Sequence, residues 1–222
     1  MVDVEATAAN RANEVDATKK MIERVEERFE VRPKQLIGDT AYGAASMLGW
    51  LVQEKQIEPH IPVWDKAERQ DGSLSRSDFV FDAQNDLYTC PAGKHLQTTG
   101  RATADNTVLY RASLYDCQGC PLKPKCCPNA PARKIQRSVH EESRDVARSL
   151  ANTEAYRASR KKRKMVEMLF AHLKRILKLD RLRLRGRTGA QDEFLPAATA
   201  QNLRRMAKWL VPRAPNWGLV PT

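Results

Sequence analysis

The sequence predicts an α/β fold that is interrupted by a β-rich, cysteine-bearing insertion and followed by a helical C-terminal part. Strand and helix patterns alternate over residues 1–63, all five cysteines fall in residues 64–139, and helical patterning returns from residue 140. Strands that alternate with helices are typical of a parallel sheet. We therefore expect a first core part at 1–63, the insertion at 64–139, C-terminal core helices at 140–211 and a loose tail at 212–222.

The elements of the first core part follow from apolar spacing. Short apolar or alternating runs predict strands, and apolar residues at helical spacing predict helices. In chain order these are a strand at 2–4, a helix at 14–29, a strand at 35–38, a helix at 43–56 and a strand at 58–63. The prolines of the last run place it at a sheet edge or a strand end.

The C-terminal part is organised around a long basic helix that contains Glu167. Its apolar residues recur at i, i+3, i+4 and i+7, which predicts a buried stripe of Val166, Leu169, Phe170, Leu173 and Leu177. Glu167 lies at the rim of that stripe, with Arg163 and Lys174 on nearly the same line of the helix. A carboxylate between cations suits a metal ion that meets a phosphate backbone, and it is also what a solvated helix face looks like. A further helix is expected at about 192–210.

The positive charge of the chain is concentrated near its C-terminal end. The net charge is +11, and residues 157–213 hold 17 Lys and Arg against four Asp and Glu. Such a block predicts a surface that meets a polyanion, with nucleic acid as the leading candidate and a solubilising basic face as the alternative.

Asp39 is the second candidate carboxylate. It follows the apolar strand at 35–38 and precedes a turn into a helix, and ligands of α/β sheets bind beyond such strand ends. The alternative is a helix cap, for which Asp is a common residue. A carboxylate at a strand end paired with one on a later helix suits two-metal chemistry at Asp39 and Glu167.

These residues resemble the DDE transposases of bacterial insertion sequences, in the branch with a cysteine-bearing insertion. The segment 38–43 (GDTAYG) is similar to the one around the second catalytic Asp of that family. Arg163, Glu167 and Lys174 match the Arg, Glu and Lys of its last-acid signature. Residues 183–186 (RLRG) and 202–205 (NLRR) also resemble the family.

The resemblance implies an RNase H-like fold and a metal-dependent DNA strand cleavage and transfer. Asp39 and Glu167 would be catalytic and would bind Mg²⁺ or Mn²⁺. The partners would be double-stranded DNA, at the element ends and the target, and a second copy in a homodimer. The expected DNA-binding residues are basic side chains of the C-terminal part: Arg163, Lys174, Arg160, Lys164, Arg183 and Arg185.

Two positions depart from the family pattern. The signature places Tyr three residues before its Arg, where this chain has Arg160, and Tyr156 lies four residues earlier. The first catalytic Asp of the family lies on a strand upstream of the segment that Val2–Thr7 resembles, and Asp3 is not assigned that role. We therefore expect a transposase fragment whose isolated chain does not cleave DNA. The alternative is a non-catalytic DNA-binding zinc protein, a remnant or regulator derived from the same element.

The cysteines predict a separate structural zinc site. Cys117 and Cys120 have the spacing of a metal knuckle, with Cys90 upstream and Cys126 downstream. Cys127 competes with Cys126 for the fourth position, and His95 is a weaker candidate. Free reduced cysteines are the alternative.

Other classes have little support in the sequence. His60, His140 and His172 have no Ser or Cys partner at motif spacing, and nucleotide-binding glycine motifs are absent. Without an 18-residue apolar run or a signal-peptide layout, the prediction is a soluble cytoplasmic protein with no membrane contact.

Overall fold

The computed structural model describes residues 1–8, 10–64 and 71–210. Contacts divide the chain into two compact units, Met1–Pro33 with Ala158–Thr222 and Lys34–Arg157. The predicted boundaries after residues 63 and 139 both fall inside the second unit, and the four-part division stays a prediction. The tail predicted at 212–222 lies outside the described residues.

The first unit is helical. Helix α1 spans Arg11–Phe29, and Asn10 caps it by accepting a hydrogen bond from the Asn13 N–H. The chain leaves α1 at Glu30, which adopts the left-handed conformation with φ 54°. Helix α6 spans Glu154–Arg175 and enters this unit from the second one, and helix α7 spans Gly186–Leu210.

The prediction of a strand at residues 2–4 is wrong. This segment pairs with no strand in the part of the chain that the structure describes. Its backbone is held by the side chain of Gln191, which donates to the Val4 carbonyl at 3.0 Å and accepts from the Ala6 N–H at 2.7 Å. Asp3 and Glu5 both pair with Arg24, at 2.6 and 2.8 Å. Helix side chains therefore supply the partners that a neighbouring strand would have offered.

The buried stripe predicted on α6 is only partly present. Leu173 is buried, whereas Val166 is 49% exposed and Phe170 is 58% exposed. Helical spacing shows which side chains share a face, and it does not show that another element covers that face.

The second unit begins with two parallel strands that flank a helix. Strand β1 (Gln35–Ile37) pairs with β2 (Glu58–His60), and Leu36 is opposite Pro59. Between them, α2 (Ala45–Gly49) continues into a π-helical turn at Trp50–Glu54. The predicted strand, helix and strand are confirmed. The fully buried side chains here are Met47, Leu48, Leu51, Ile57 and Ile61.

The predicted β-rich insertion contains a five-stranded antiparallel sheet in which sequential strands are neighbours. Its strands are β3 (Val80–Asp82), β4 (Leu87–Thr89), β5 (His95–Ala102), β6 (Thr107–Ala112) and β7 (Lys134–Ser138). One face of the sheet forms a core with the buried residues Tyr88, Leu96, Tyr110 and Ile135. Because side chains alternate along a strand, the intervening residues point to the other face.

Three helices complete the second unit. Helix α3 (Leu114–Gln118) and helix α4 (Lys123–Cys126) lie in the connection between β6 and β7, and α5 (Glu141–Ala151) follows β7. Cys117 of α3 and Cys126 of α4 belong to the same core cluster as Leu96, so these two helices cover the inner face of the sheet.

A buried carboxylate joins α5 to the segment before β3. Glu141 is 2% exposed, and its oxygens lie 2.8 Å from Arg76, 2.9 Å from Arg144 and 2.9 Å from Arg148. Burial alone raises the pKa of this carboxyl group. The surrounding guanidinium groups outweigh burial and hold the pKa below its ordinary value.

Candidate catalytic carboxylates and basic helix

Asp39 is presented by a tight turn at the end of β1. Its Oδ1 accepts a hydrogen bond from the Ala41 N–H at 2.8 Å and caps the short 3₁₀ turn Thr40–Tyr42. Asp39 therefore makes a capping contact of the kind that the sequence suggested, and this contact uses one of its two carboxylate oxygens. The residue is exposed, and its other oxygen has no hydrogen-bond partner in the described part of the chain. One oxygen thus fixes the turn while the other can be reached by a ligand.

Two close backbone approaches explain the glycines around Asp39. A Cβ on Gly43 would lie 2.1 Å from the Pro62 carbonyl oxygen, and the Gly43 carbonyl accepts from the Trp64 N–H at 3.0 Å. A Cβ on Gly38 would lie 3.2 Å from the Tyr42 ring. The turn is therefore packed directly against the chain that leaves β2, which fixes where Asp39 lies within its unit.

Glu167 lies on the exposed surface of α6. Its side chain is 62% exposed, and Oε1 lies 3.4 Å from Arg163 Nε, one helical turn earlier. This contact is the i, i+4 pair expected from the sequence. Such an exposed pair stabilises the fold little, so the carboxylate remains accessible to an outside cation.

The other cations predicted on this helix face solvent without acidic partners. Arg160, Lys164 and Lys174 are exposed, and none of their side chains makes an ion pair or hydrogen bond within the described residues. Arg157, at the start of the same run, pairs with Glu154 at 3.5 Å. The helix therefore carries a strip of positive charge that the described chain does not neutralise.

Arg183 and Arg185 lie in the loop between α6 and α7. Both are exposed, and the backbone around them is fixed by Glu193 Oε1, which accepts from the N–H groups of Arg183 at 2.7 Å and Leu184 at 2.6 Å. The loop also approaches α7 closely, since a Cβ on Gly189 would lie 2.7 Å from that of Leu184. Both guanidinium groups are thus held on an ordered loop that faces solvent.

The two candidate carboxylates belong to different units. Asp39 lies in the second unit and Glu167 in the first, and each is exposed within its own unit. Their oxygens are the donors that Mg²⁺ prefers, so both residues fit the chemistry of such an ion. No group of three His, Cys, Asp or Glu side chains that could hold a metal is formed among residues 1–8, 10–64 and 71–210.

The cysteines surround a small cavity of about 30 Å³. Cys117, Cys126 and Cys127 are buried. The Cys90 sulfur accepts the Lys94 N–H at 3.3 Å, in a turn where Gly93 has φ 75°. Burial raises the pKa of Cys126 to about 11. The thiols thus line one cavity, although in the described residues they do not come together with metal-binding geometry.

The tyrosine that precedes the signature has a packing role. Tyr156 stacks on His60, with ring centroids 5.7 Å apart and ring planes inclined by 24°. His60 is buried at the end of β2. Tyr156 therefore helps to cover β2, and the place of the family's signature Tyr is held by the exposed Arg160.

Comparison with protein families decides the classification. The family model described as transposase DDE domain matches residues 89–207, more than half of the 222 residues. The chain belongs to the transposase DDE domain family. No curated protein and no solved structure matches the chain.

The family match covers Glu167, its neighbouring cations and all five cysteines, whereas Asp39 lies outside the matched range. In the described part of this DDE domain, none of the helices is both long and apolar enough to cross a membrane.

Sequence reasoning missed Glu141 as a structural centre. Arg144 and Arg148 lie three and seven residues after it, and that spacing places all three side chains on one face of a helix. This signal was present in the sequence. Arg76 could not have been found in this way, because it is separated from Glu141 by 65 positions.

Proposed function

We propose that this chain is the catalytic-domain part of a bacterial insertion-sequence transposase, with an RNase H-like core, that binds duplex DNA. Asp39 and Glu167 are its Mg²⁺ or Mn²⁺ ligands, and the reaction is cleavage of a DNA strand followed by its transfer. The exposed carboxylate of Glu167 carries the proposal, because it lies within the family match on a helix most of whose cations have no acidic partner in the described chain.

The proposal assigns the carboxylates to metal binding and the basic residues to DNA binding. A divalent ion held by these carboxylates supplies charge stabilisation at a reacting phosphate. Arg163 lies beside Glu167 and can orient its carboxylate, and Lys174 follows two helical turns later. These two residues, with Arg160, Lys164, Arg183 and Arg185, bind phosphates of the element ends and of the target. Homodimerisation of the intact enzyme is part of the same proposal.

The metal dependence of DNA binding tests this proposal. We expect Mg²⁺, added at constant ionic strength, to tighten the binding of a fluorescent duplex, because an ion held by these carboxylates would supply positive charge that attracts DNA phosphates. Asp39→Asn and Glu167→Gln should remove this response and bind DNA slightly more tightly without metal, since each removes a negative charge. Fluorescence anisotropy gives the dissociation constants.

Glu142→Gln is the matched control, because Glu142 is exposed and lies on α5, outside the proposed site. It should respond to Mg²⁺ as the unsubstituted chain does. An equal Mg²⁺ response in all variants would contradict the metal role of the two carboxylates. The isolated chain is expected not to cleave DNA, and strand cleavage that both Asp39→Asn and Glu167→Gln abolish would overturn this fragment expectation while supporting the role of the two carboxylates.

A second candidate is a non-catalytic DNA-binding zinc protein, a remnant or regulator derived from the same element. It is favoured by the exposed cations of α6, most of which have no acidic partner in the described chain. It needs the basic surface and does not need the carboxylates. DNA binding that is indifferent to Mg²⁺ and to both carboxylate substitutions would support this candidate.

Structural zinc at the cysteine cavity is a separate proposal. Five thiols line the cavity and thiolates are preferred zinc ligands, but the donors would have to move together to hold an ion. We expect the purified protein to carry about one zinc per chain, as measured by elemental analysis.

Cys126→Ser and Cys127→Ser form a matched pair for this measurement. One of them should lose the metal and the other should keep it, which identifies the fourth ligand beside Cys90, Cys117 and Cys120. A metal-free preparation that remains folded would show that the five cysteines are free thiols.

A further inference from the structure

A second basic block lies within the insertion. Residues 87–138 hold eight Lys and Arg against two Asp. This block is separate in sequence from the basic segment at 157–213, so the cations of α6 do not account for it. The structure shows which of these cations have side-chain partners within the described chain and which do not.

Three of these cations have partners inside the unit. Arg133 donates to the carbonyls of Cys126 and Leu74, at 2.7 and 2.9 Å. Arg137 lies over the ring of Phe81, 3.8 Å from its centroid. Lys94 lies 3.6 Å from Asp116. These contacts explain the three residues as parts of the fold.

The outer face of the sheet carries exposed cations whose side chains have no partner in the described part of the chain. Arg111 of β6 and Lys134 of β7 are directly opposite each other, and Gln97 of β5 is opposite Arg111 on the other side. All three residues are exposed. Neither Arg111 nor Lys134 has an ion pair or a hydrogen bond to its side chain in the described ranges.

Two more polar residues extend this surface. Ala102 of β5 pairs with Val108, whose side chain packs against the inner core, so Arg101 points outwards. Gln136 follows Lys134 on the same face of β7, and it is exposed. We call Gln97, Arg101, Arg111, Lys134 and Gln136 the outer basic face.

This arrangement costs the isolated sheet some stability. Like charges directly opposite each other on neighbouring strands repel, with Cβ atoms about 4.5–5.5 Å apart. Asp82 also lies on the outer side, but in β3, and it accepts hydrogen bonds from Gln84 and Asn85. The repulsion between Arg111 and Lys134 is relieved when an anion binds between them.

We propose that the outer basic face is a second DNA-binding surface, which contacts the phosphate backbone of a duplex. The proposal rests on the function proposed above, which makes duplex DNA the polyanion that this protein meets. Duplex DNA carries a negative charge about every 1.7 Å along its axis, so neighbouring phosphates can engage cations spaced as these are. The amides of Gln97 and Gln136 can donate to phosphate oxygens.

The shape of the surface favours the backbone over the bases. The cations lie on the face of a five-stranded sheet, which is wider than the α-helix or two-stranded ribbon that the major groove admits. Contacts to phosphate carry no sequence information. Binding at the outer basic face should therefore be independent of DNA sequence and should weaken steeply with salt.

Charge-neutralising substitutions test the inference. In Arg111→Gln/Lys134→Gln, the slope of log affinity against log salt should become shallower by about 1.8, that is, about 0.9 for each lost phosphate contact. The loss should be equal for two duplexes of unrelated sequence. Thermal unfolding should occur at the same or a higher temperature than in the unsubstituted chain, because a repulsive pair has been removed.

Lys125→Gln is the matched control for Lys134→Gln. Lys125 is an exposed lysine of α4, which covers the opposite face of the same sheet. It should leave the salt slope unchanged, and Lys134→Arg should retain the affinity of the unsubstituted chain. Equal slopes for Lys134→Gln and Lys125→Gln, in a chain that binds DNA, would overturn the inference and leave the proposed function standing. Failure of the unsubstituted chain to bind DNA would instead overturn the proposed function.

Discussion

The two units use their basic residues in different ways. In the second unit, the buried Glu141 lies within 2.9 Å of three arginines, and Arg133 is buried with its guanidinium on backbone carbonyls. On α6, in the first unit, most cations are exposed and have no acidic partner among the described residues. The same residue types therefore pack around a buried carboxylate at Glu141 and form an exposed charged surface on α6.

This difference has a physical basis. A charge removed from water must be paired and hydrogen-bonded, whereas an exposed charge is solvated and needs no partner. Cations that are paired inside the protein contribute to folding and are not available to a ligand. Cations that remain solvated contribute little to folding and can release counterions when they meet DNA. Pairing therefore separates structural basic residues from functional ones better than charge alone does.

Removal of Glu141 should give the largest loss of stability. In Glu141→Ala, three guanidinium groups lose their shared carboxylate, and breaking a buried ion pair from one side costs about 3–5 kcal/mol. Urea denaturation followed by circular dichroism measures the free energy of unfolding. The neighbouring Glu142→Ala is the control, because Glu142 is exposed, and its effect should stay within about 0.5 kcal/mol. Equal losses of unfolding free energy in Glu141→Ala and Glu142→Ala would contradict a structural role for the arginines around Glu141.

The loss of stability in Glu141→Ala should depend on pH. The pKa of Glu141 is lower in the folded chain than its ordinary value of 4.5. Its contribution to stability is therefore present above pH 4.5 and is lost as the pH falls through the folded-state pKa. The difference between the unsubstituted chain and Glu141→Ala should be constant near neutral pH and should shrink below pH 4.5. A difference that grows in acid would contradict the charged state of Glu141.

Local patterns in the sequence predicted much of the second unit. The run predicted at 35–38 forms β1 at Gln35–Ile37, the run predicted at 58–63 forms the shorter β2 at Glu58–His60, and the position of Asp39 at the strand end is confirmed. The β-rich character of the insertion is also confirmed. These features depend on residues close together in the chain, for which apolar spacing and turn residues are sufficient evidence.

Features that depend on distant residues could not be predicted. Residues 2–4 alternate as a strand would, but Gln191 holds their backbone. Phe170 has core spacing and is exposed. The opposition of Arg111 and Lys134 depends on strand register, because a shift by one residue would place one of them in the core. In each case the outcome depends on whether an element far away in the sequence lies against the residue, and local spacing does not reveal this.

The sequence predicted which residues form the candidate site, but it did not predict how they are arranged in space. Glu167, Arg163 and Lys174 were found from helical spacing, and the contact between the first two is observed at 3.4 Å. The relation of Asp39 to Glu167 depends on two segments that fold into different units. Spacing along a chain carries no information on such a relation, so it stays part of the proposal.

The smallest change in stability is expected on α6. Arg160→Gln/Lys164→Gln should alter the free energy of unfolding by no more than about 0.5 kcal/mol per residue, because both side chains are exposed and have no partner in the described chain. The salt slope of DNA binding should nevertheless become shallower by about 0.9 for each residue. Arg24→Gln, on α1 of the same unit, is the contrasting control, in which stability should change and DNA binding should not. It leaves Asp3 and Glu5 without their shared cation, which lowers stability, and it should leave the salt slope unchanged. If the α6 substitutions lowered stability as Arg24→Gln does, the cations of α6 would be structural, and the distinction between paired and solvated basic residues would fail in this unit.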